Sequence, residues 1–367
     1  MFDGYLSPIR CFASVGRYYQ GPGAIELLPE LAAKEGNSAF VLIDGFFYRD
    51  FSVSLREKFE AAGIRFDCME AALQITDASI AEVRKYVDSL GYLPDIFIGI
   101  GGGKTCDTIK CFSDFYGKPV IVAPTVIATD APPTSHSMVY REDGSSYVFA
   151  HKRSPEYVVT DTQITVNAPA VTFAAGIGDA LATYFECQAI DAFGHPTLAG
   201  RKDFCRTRTG KMIARLCYDL LMENAEQAYR DTIAHKLTRE YEDATEALTL
   251  LSGLGVENTG CSVAHGLEKY IQYVSDRKNL HGQGVAYGTM VQIMREGRTE
   301  EFDRVYKLCS AVGLPVCLAD LGASGDDACI DKLAAMAVTD YLINREPFEV
   351  TAEGLADAMR KIEAYGR

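Results

Sequence analysis

The chain has 367 residues, 48% of them hydrophobic, which is enough for two cores of ordinary size. Its formal charge of −14 argues against nucleic acids and anionic membranes as partners and favours small molecules. No apolar run approaches the length of a bilayer span, and the first ten residues lack the order of a signal peptide. The eleven cysteines form no CxxC pair and are typical of reduced thiols, so we predict a cytoplasmic protein.

Short apolar runs alternate with amphipathic stretches between residues 38 and 125. Four strands are predicted there, with the sequences SAFVLI, IRFDCM, DIFIGI and PVIVAP. Three helices are predicted between them, at residues 48–63, 78–91 and 104–117. This alternation is typical of a doubly wound α/β domain with a parallel sheet. A turn signal at Asp143-Gly144 further predicts a hairpin over residues 139–149.

Strand patterns end near residue 163. Beyond it, apolar residues recur three and four positions apart, as in TGKMIARLCYDLLMENAEQAYR, which predicts helices over nearly all of the remaining chain. We therefore predict two domains, an α/β domain over residues 1–163 and an all-α domain over residues 164–367.

The stretch GIGGGKTCDT, residues 99–108, follows the third predicted strand and opens a helix. Free amides and the helix dipole attract anions at such a place, and missing side chains let a pyrophosphate approach the main chain. Lys104 stands where the GxGxxG fingerprint requires its last glycine, and the pattern is not a Walker A loop either. We predict that residues 101–104 bind the phosphates of a dinucleotide or nucleotide; the alternative is a tight turn that binds nothing.

Asp44 follows the first predicted strand. An acid at this place accepts hydrogen bonds from ribose hydroxyls and repels a 2′-phosphate, which favours NAD over NADP. Aspartate also starts many loops and helices, so a purely structural role is the alternative.

The helical half carries a candidate metal site. Two of the six histidines, His265 and His281, lie sixteen residues apart beside glycines. Two imidazoles and one carboxylate form a common catalytic zinc site with an open fourth position. Asp179 is the best third ligand, because it lies in the small-residue helix AAGIGDALATYFE, where an unpaired carboxylate is costly without a cation. Alternatively, the histidines are helix caps or satisfied core groups.

Taken together, these segments resemble the glycerol dehydrogenases of the iron-containing alcohol dehydrogenase superfamily. The resemblance spans almost the whole chain and is carried by the segments GRYYQGPGAIELLPEL, GIGGGKTCDT, APTVIATDAP, AAGIGDALATYFE, VAHGLE and HGQGVAYGT. It implies a dehydroquinate synthase-like fold, an NAD cofactor, a zinc ion with iron as the alternative, and a homo-oligomer, often an octamer.

The resemblance also implies roles for individual residues. Asp179, His265 and His281 match the metal ligands, in agreement with the reasoning from residue chemistry. Asp130 matches a substrate-contacting aspartate; it and His281 are the candidate catalytic residues, and Asp179 and His265 also face the substrate. The dinucleotide is expected to contact Asp44, Gly101, Gly102, Gly103, Lys104, Thr125, Thr134, His136 and Tyr140.

Three positions bear on specificity. Thr183 stands where iron-dependent relatives usually have a histidine as fourth ligand, which favours zinc with three protein ligands. His136 takes the place of a leucine often found near the nicotinamide, so the pocket is expected to be more polar. Glu268 takes the place of a histidine three residues beyond the first metal histidine.

The predicted activity is NAD-dependent oxidation of glycerol, or of a related small vicinal diol or polyol, to the hydroxyketone. The alternatives are a glycerol 1-phosphate dehydrogenase, a hydroxy-acid dehydrogenase, a dehydroquinate synthase-like lyase, and a binding protein without activity. Such lyases generally use glutamate as the first metal ligand, and a phosphorylated substrate needs a cationic pocket, for which His136, Lys152 and Arg153 are the candidates. No general base stands out, so we expect a chain of waters, with His136 as a candidate, to carry the proton.

Overall fold

The computed structural model describes residues 7–141, 146–200 and 204–365, which divide into two compact units. One unit comprises the described residues of 14–127 and 131–168. The other comprises the described residues of 1–13, 128–130 and 169–367. We call them the α/β unit and the helical unit.

The strands of the described residues are β1 Ser7–Cys11, β2 Arg17–Gly21, β3 Ser38–Ile43, β4 Arg65–Glu70, β5 Ile96–Gly101, β6 Val120–Pro124, β7 His136–Tyr140, β8 Ser146–Ala150, β9 Tyr157–Asp161 and β10 Phe204–Arg206. The helices are α1 Leu28–Ala33, α2 Gly45–Ala61, α3 Asp77–Ser89, α4 Gly103–Tyr116, α5 Thr162–Thr165, α6 Ala170–Phe193, α7 Arg208–Ile233, α8 Arg239–Glu246, α9 Ser252–Asn258, α10 Val263–Ile271, α11 His281–Arg295, α12 Thr299–Ala311, α13 Asp327–Ala337 and α14 Ala352–Ala364. A π-helical turn, Ala247–Leu251, joins α8 to α9, and short 3₁₀ turns lie at Ala24–Leu27 and Ala319–Leu321.

A six-stranded parallel sheet forms the centre of the α/β unit, in the order β2-β9-β6-β5-β3-β4. Strands β3, β5, β6 and β9 are buried along their whole length, as expected for strands covered on both faces. Ile43 of β3 pairs with Ile100 of β5, and Gly101 of β5 pairs with Pro124 of β6. The carboxyl ends of these three strands therefore lie side by side.

The strands β7 and β8 pair antiparallel and confirm the predicted hairpin. Its predicted turn, Asp143-Gly144, lies outside the described residues. The backbone amide of Tyr140 donates to the carbonyl of Ile75, which joins the hairpin to the segment before α3.

The helical unit is built around α6 and α11, which pack against each other, while α10 packs on α11 and α7 packs on α6. The helix α6 is buried over most of its 24 residues, in keeping with its run of small and apolar residues. Within the described part of the chain, no helix combines the length and apolar character of a membrane span.

The fold class predicted from sequence is confirmed, and the strands and helices predicted between residues 38 and 125 are all present. Two outer neighbours of this set, β2 and β9, complete the sheet and were not predicted. The expectation that strands cease after residue 163 is wrong at β10, which pairs with β1 inside the helical unit. A strand of three residues has too short a pattern to be recognised without its partner.

Candidate active site

The predicted metal ligands Asp179, His265 and His281 come together in the helical unit. Asp179 lies in the middle of α6, His265 in the first turn of α10, and His281 at the first position of α11. One ligand atom from each lies within 4.8 Å of the others. The two imidazole centroids are 5.4 Å apart.

The carboxylate of Asp179 is the centre of this cluster. Its Oδ2 accepts the backbone amide of Asp130 at 3.0 Å. Its Oδ1 is buried and lies 3.3 Å from the Nε2 atoms of both His265 and His281. A buried anionic oxygen facing two imidazole nitrogens is costly unless a positive charge lies beside it, either a bound cation or a protonated imidazole. The donor set, one oxygen and two nitrogens, fits a divalent ion of the zinc type.

Glu186 supports His265 from behind and was not identified from the sequence. It lies seven residues after Asp179 on α6, and is fully buried. Its Oε2 lies 2.7 Å from Nδ1 of His265, and its Oε1 accepts the backbone amides of Ser262 and His265 at 2.7 and 3.0 Å. The carboxylate therefore caps the start of α10 and also fixes the His265 ring. The seven-residue spacing, two helical turns, is the signal that could have indicated it.

Glu268 lies beside His281 at a longer distance. It lies on α10, and its Oε2 is 3.3 Å from Nδ1 of His281. The Nε2 atom of the same ring points to Asp179. Each imidazole of the cluster therefore has a carboxylate next to the nitrogen that does not face Asp179.

The three helices approach closely because glycines face their neighbours. A Cβ atom on Gly282 would overlap the carbonyl oxygen of Ala175 on α6. A Cβ atom on Gly288 would overlap the carbonyl oxygen of Ala264 on α10. Gly282, which the sequence marked only as a neighbour of His281, is thus required by helix packing.

Protons compete with a metal ion for this cluster. Burial lowers the pKa of both histidines, but Glu186 beside His265 and Glu268 beside His281 outweigh it, and both pKa values lie well above the usual range. Burial raises the pKa of Asp179, yet the charge of His281 and hydrogen bonding from His265 outweigh it, and that pKa falls below its usual value. The metal-free cluster therefore holds protons where the ion would bind.

A second group of donors, Glu186, Cys261 and His265, lies next to the first. It is the outer side of the same cluster, because both oxygens of Glu186 already accept hydrogen bonds. Burial also raises the pKa of the Cys261 thiol to about 12, so the thiol stays protonated.

Thr183 is buried one turn after Asp179, and its hydroxyl lies 3.1 Å from that of Ser252. Its methyl group lies where a Cβ on Gly255 would clash. The Thr183 side chain therefore packs between α6 and α9.

In the α/β unit, three predicted cofactor positions lie at one edge of the sheet. The amide of Asp44 donates to the carbonyl of Ile100 at 2.8 Å, and that of Thr125 donates to the carbonyl of Gly101 at 3.1 Å. A Cβ on Gly101 would lie 2.9 Å from Cβ of Asp44. Asp44, Gly101 and Thr125 are therefore adjacent, at the edge where doubly wound proteins bind ligands.

The glycine stretch begins α4 at Gly103, after Gly102 at the capping position. No side chain in the described residues caps this helix. Gly99 and Gly101 have a packing role as well, since added Cβ atoms would clash with Ile109 and Thr105 of α4. Lys104 extends to the carbonyl of Leu73, 3.2 Å away, on the segment after β4.

Thr134, His136 and Tyr140 lie on another segment, the loop before β7 and β7 itself. Buried Lys110 of α4 holds this loop: its Nζ donates to the carbonyls of Ala131 at 2.9 Å and His136 at 2.5 Å. Asp107 pairs with the same Nζ at 2.9 Å. The sequence did not identify this Asp107-Lys110 pair, although its spacing within one helical turn is a recognisable signal.

Asp44 also caps α2, since its carboxylate accepts the amide of Phe46 at 2.9 Å. Asp44 therefore has the structural role of a helix cap that the sequence offered as the alternative to ribose binding. One oxygen of a carboxylate can cap the helix while the other remains available to a ligand.

A parallel sheet with an uncapped helix start after a glycine turn suits a dinucleotide. A helical unit with one carboxylate between two imidazoles suits a divalent metal ion. Together these parts define the class of metal-dependent dehydrogenases that use a dinucleotide cofactor.

Comparison with known proteins identifies the family within this class. Residues 16–162 match the family model for iron-containing alcohol dehydrogenase. A glycerol dehydrogenase of Thermotoga maritima is 36% identical over 96% of each chain. A glycolaldehyde reductase of Halobacterium salinarum is 30% identical over 97% of this chain and 98% of its own. The crystal structure of glycerol dehydrogenase from Schizosaccharomyces pombe superimposes with a TM-score of 0.90 at 28% identity, covering 98% of this chain and 92% of that one.

The chain therefore belongs to the iron-containing alcohol dehydrogenase family, in the branch of the glycerol dehydrogenases. It is an oxidoreductase that acts on CH–OH groups. Membership implies a nicotinamide cofactor and a divalent metal ion.

Proposed function

We propose that this protein oxidises glycerol, or a related small vicinal diol or polyol, to the hydroxyketone, with NAD as hydride acceptor and zinc as the divalent ion. The reaction balances as alcohol plus NAD⁺ giving ketone, NADH and one proton. The observation that carries the proposal is the buried Oδ1 of Asp179, which lies between the ring nitrogens of His265 and His281.

These three residues would hold the ion. When bound there, a divalent ion polarises a coordinated hydroxyl and lowers its pKa. The protein contributes the orientation of the ligands: Glu186 holds the His265 ring through a 2.7 Å contact, and Asp130 holds Asp179 through its backbone amide. Thr183 supplies no further ligand, since its hydroxyl is engaged by Ser252, and three protein ligands with an open position favour zinc.

The edge formed by Asp44, Gly101 and Thr125 supports the proposal of a dinucleotide site. The start of α4, with Gly102, Gly103 and Lys104, would bind the pyrophosphate, and Asp44 would bind the ribose hydroxyls. The same carboxylate repels a 2′-phosphate, which is the reason to expect NAD. NAD supplies the hydride-accepting carbon when bound.

Substrate and nicotinamide contacts are proposed for the segment from Asp130 to Tyr140. The carboxylate of Asp130 would accept a hydrogen bond from a substrate hydroxyl, and its position is fixed because its own amide is held by Asp179. His281 is the second catalytic candidate. Thr134, His136 and Tyr140 would contact the cofactor from a loop that Lys110 anchors.

The cytoplasm is the proposed compartment, since it keeps thiols reduced and all eleven cysteines are free in this structure. A homo-oligomer, with an octamer as the expected form by family resemblance, is proposed. Multi-angle light scattering on the eluting protein measures its mass directly.

A substrate panel tests the proposed reaction. Metal-stripped protein reconstituted with Zn²⁺ would be assayed for NADH formation with glycerol, 1,2-propanediol, a phosphorylated polyol and a hydroxy acid. We expect turnover of the two neutral alcohols, loss after chelation, and recovery on adding Zn²⁺. Turnover restricted to the hydroxy acid or phosphorylated polyol, or activity that survives complete metal removal, would contradict the proposal.

Glycolaldehyde reduction is assayed in the opposite direction, with NADH. The same site would reduce a small hydroxyaldehyde if the carbonyl occupies the place of the alcohol, and one relative is named for this reaction. A glycolaldehyde rate far above every alcohol rate would replace polyol oxidation as the assigned reaction.

A further inference from the structure

Glu268 is the residue of the metal cluster that the sequence left without a role. It lies three residues after His265, so both side chains emerge from the same side of α10. Its Oε2 reaches Nδ1 of His281, the first residue of α11, at 3.3 Å. Glu268 therefore connects the helix that carries one imidazole to the ring of the other.

The packing of α11 leaves room for this contact. Gly284 faces the Glu268 stem, and a Cβ atom there would lie 2.7 Å from its Cγ. The Glu268 side chain is 26% exposed, so most of it is held against the protein. The absence of a side chain at position 284 is what allows the carboxylate to reach the ring.

The chemistry of imidazole makes the contact consequential. A neutral imidazole has one N–H and one lone pair, and a carboxylate accepts but does not donate. A carboxylate beside Nδ1 therefore favours the tautomer with its proton on Nδ1. The lone pair is then on Nε2, the nitrogen that lies 3.3 Å from Asp179 Oδ1.

We propose that Glu268 is a positioning residue that holds Nδ1–H of His281 and so presents Nε2 to the divalent ion. The inference rests on the proposed function of the same cluster and deepens it. The histidine expected at this position by family resemblance has no fixed negative charge, whereas Glu268 adds one beside the cation site. This chain therefore places a carboxylate behind each imidazole, Glu186 for His265 and Glu268 for His281.

Zinc affinity of matched variants tests this role. Metal-free native protein, Glu268→Met and Glu268→Gln would be titrated with Zn²⁺ against a chromophoric chelator, at a pH high enough that the His281 ring is neutral in all three and no proton competes with the ion. Methionine keeps the length of the side chain but accepts no strong hydrogen bond, and we expect Zn²⁺ to bind about 10- to 100-fold more weakly. Glutamine keeps an accepting oxygen, so its loss is expected to be smaller. Glu300→Met, at an exposed position of α12, is the control and should bind like the native protein.

The ring itself gives a second measurement. In metal-free protein labelled with ¹⁵N-histidine, at a pH high enough to make the ring neutral, the His281 signals are expected to show a proton on Nδ1 in the native protein and in Glu268→Gln. In Glu268→Met we expect a mixture of tautomers. A residue that only filled space would leave these signals unchanged.

The outcomes separate the two levels of the proposal. Equal Zn²⁺ affinity in native protein and Glu268→Met, or equal losses in the methionine and glutamine variants, would overturn the role of Glu268. If native protein binds no Zn²⁺, the metal site fails and this inference with it. Tight binding without polyol turnover would overturn the proposed reaction while leaving the role of Glu268 standing. Thermal unfolding of each metal-free variant checks folding, and Glu268→Ala replaces the methionine variant if that one does not fold.

Discussion

The two carboxylate oxygens of Asp179 contact different groups, and these contacts determine what is lost when a histidine is mutated. Oδ2 is satisfied by the Asp130 amide, while Oδ1 has only the two imidazoles opposite it. Removing one imidazole leaves the proposed ion with two protein ligands. The dinucleotide edge lies in the other unit and loses none of its own contacts.

We therefore predict that His265→Ala and His281→Ala each lower polyol oxidation by at least about 100-fold, because the several kcal/mol supplied by the ion are lost. The dissociation constant for NADH, measured by its fluorescence, should stay within about twofold of the native value. The residues proposed to bind the dinucleotide lie in the other unit and are not changed. Both alanine variants turning over at the native rate would show that the metal assignment is wrong.

A second residue-scale prediction concerns pH. The raised pKa values of His265 and His281 mean that the metal-free fold holds both protons at neutral pH. The stability that these protonated histidines give to the metal-free fold is complete below the unfolded histidine pKa of about 6.5. It is lost as the pH rises through the pKa values of the two histidines in the folded protein. Asp179, with its lowered pKa, contributes above about pH 3.9 and loses that contribution as the pH falls through its folded value.

An ion must displace the imidazole protons, so Zn²⁺ affinity is expected to rise with pH, by up to about tenfold per proton released per pH unit. Chelator competition at several values between about pH 6 and about pH 8 measures the slope. Calorimetry in two buffers of different ionisation enthalpy counts the released protons. A slope of zero over this range would mean that the histidines are not the ligands.

Asp44 permits a substitution that separates its two roles. Asparagine caps helices as well as aspartate but carries no charge. We predict that the free energy of unfolding of Asp44→Asn stays within about 0.5 kcal/mol of the native value. Its preference for NAD over NADP should fall roughly tenfold, because the repulsion toward the 2′-phosphate is lost. Kinetics with both cofactors measure the ratio, and an unchanged ratio would leave Asp44 only as the cap of α2.

At the scale of elements, the metal cluster depends on how closely α11 approaches α6 and α10. Gly282 and Gly288 remove the side chains that would keep these helices apart. His281 immediately precedes Gly282, so a shift of α11 moves a metal ligand directly.

We predict that Gly282→Ala destabilises the fold by about 1–3 kcal/mol through overpacking and also weakens Zn²⁺ binding. Gly354→Ala on α14 is the matched control, because the nearest atom to its added Cβ would be the Thr351 hydroxyl at 3.2 Å. Denaturant unfolding and zinc titration measure the two effects. Native behaviour of Gly282→Ala in both measurements would contradict the packing described for α6 and α11.

At the scale of the whole molecule, the two proposed ligands belong to different units. Ligand binding stabilises the folded state by RT ln(1 + [L]/Kd), about 4 kcal/mol at a thousandfold excess over Kd. We predict that Zn²⁺ slows hydrogen exchange in α6 and the first turns of α10 and α11, and that NAD slows it at the ends of β3 and β5 and the start of α4. His281→Ala should lose the zinc effect and keep the NAD effect. Absence of zinc-dependent protection in α10 and α11 would refute the assignment.

Much of the fold could be predicted because its signals are local. The alternation of apolar runs and amphipathic helices between residues 38 and 125 needs no knowledge of distant contacts, and β3, β4, β5 and β6 appear where the pattern indicates them. The strand β2 lacks that pattern, β9 lies beyond the alternating region, and β10 is too short to show a pattern. Their assignment depends on the partners with which they pair.

The sequence by itself determined the chemistry: the residue types of Asp179, His265 and His281, the glycine turn before a helix, and the family segments that contain them. Only the tertiary structure decided how those residues are supported. The contacts of Glu186 to Ser262 and His265 span 76 and 79 positions, and the contacts of Lys110 reach a loop 21 to 26 positions away. Contacts of this kind arise from helix packing and backbone geometry, which a pattern of residue types along the chain does not encode locally.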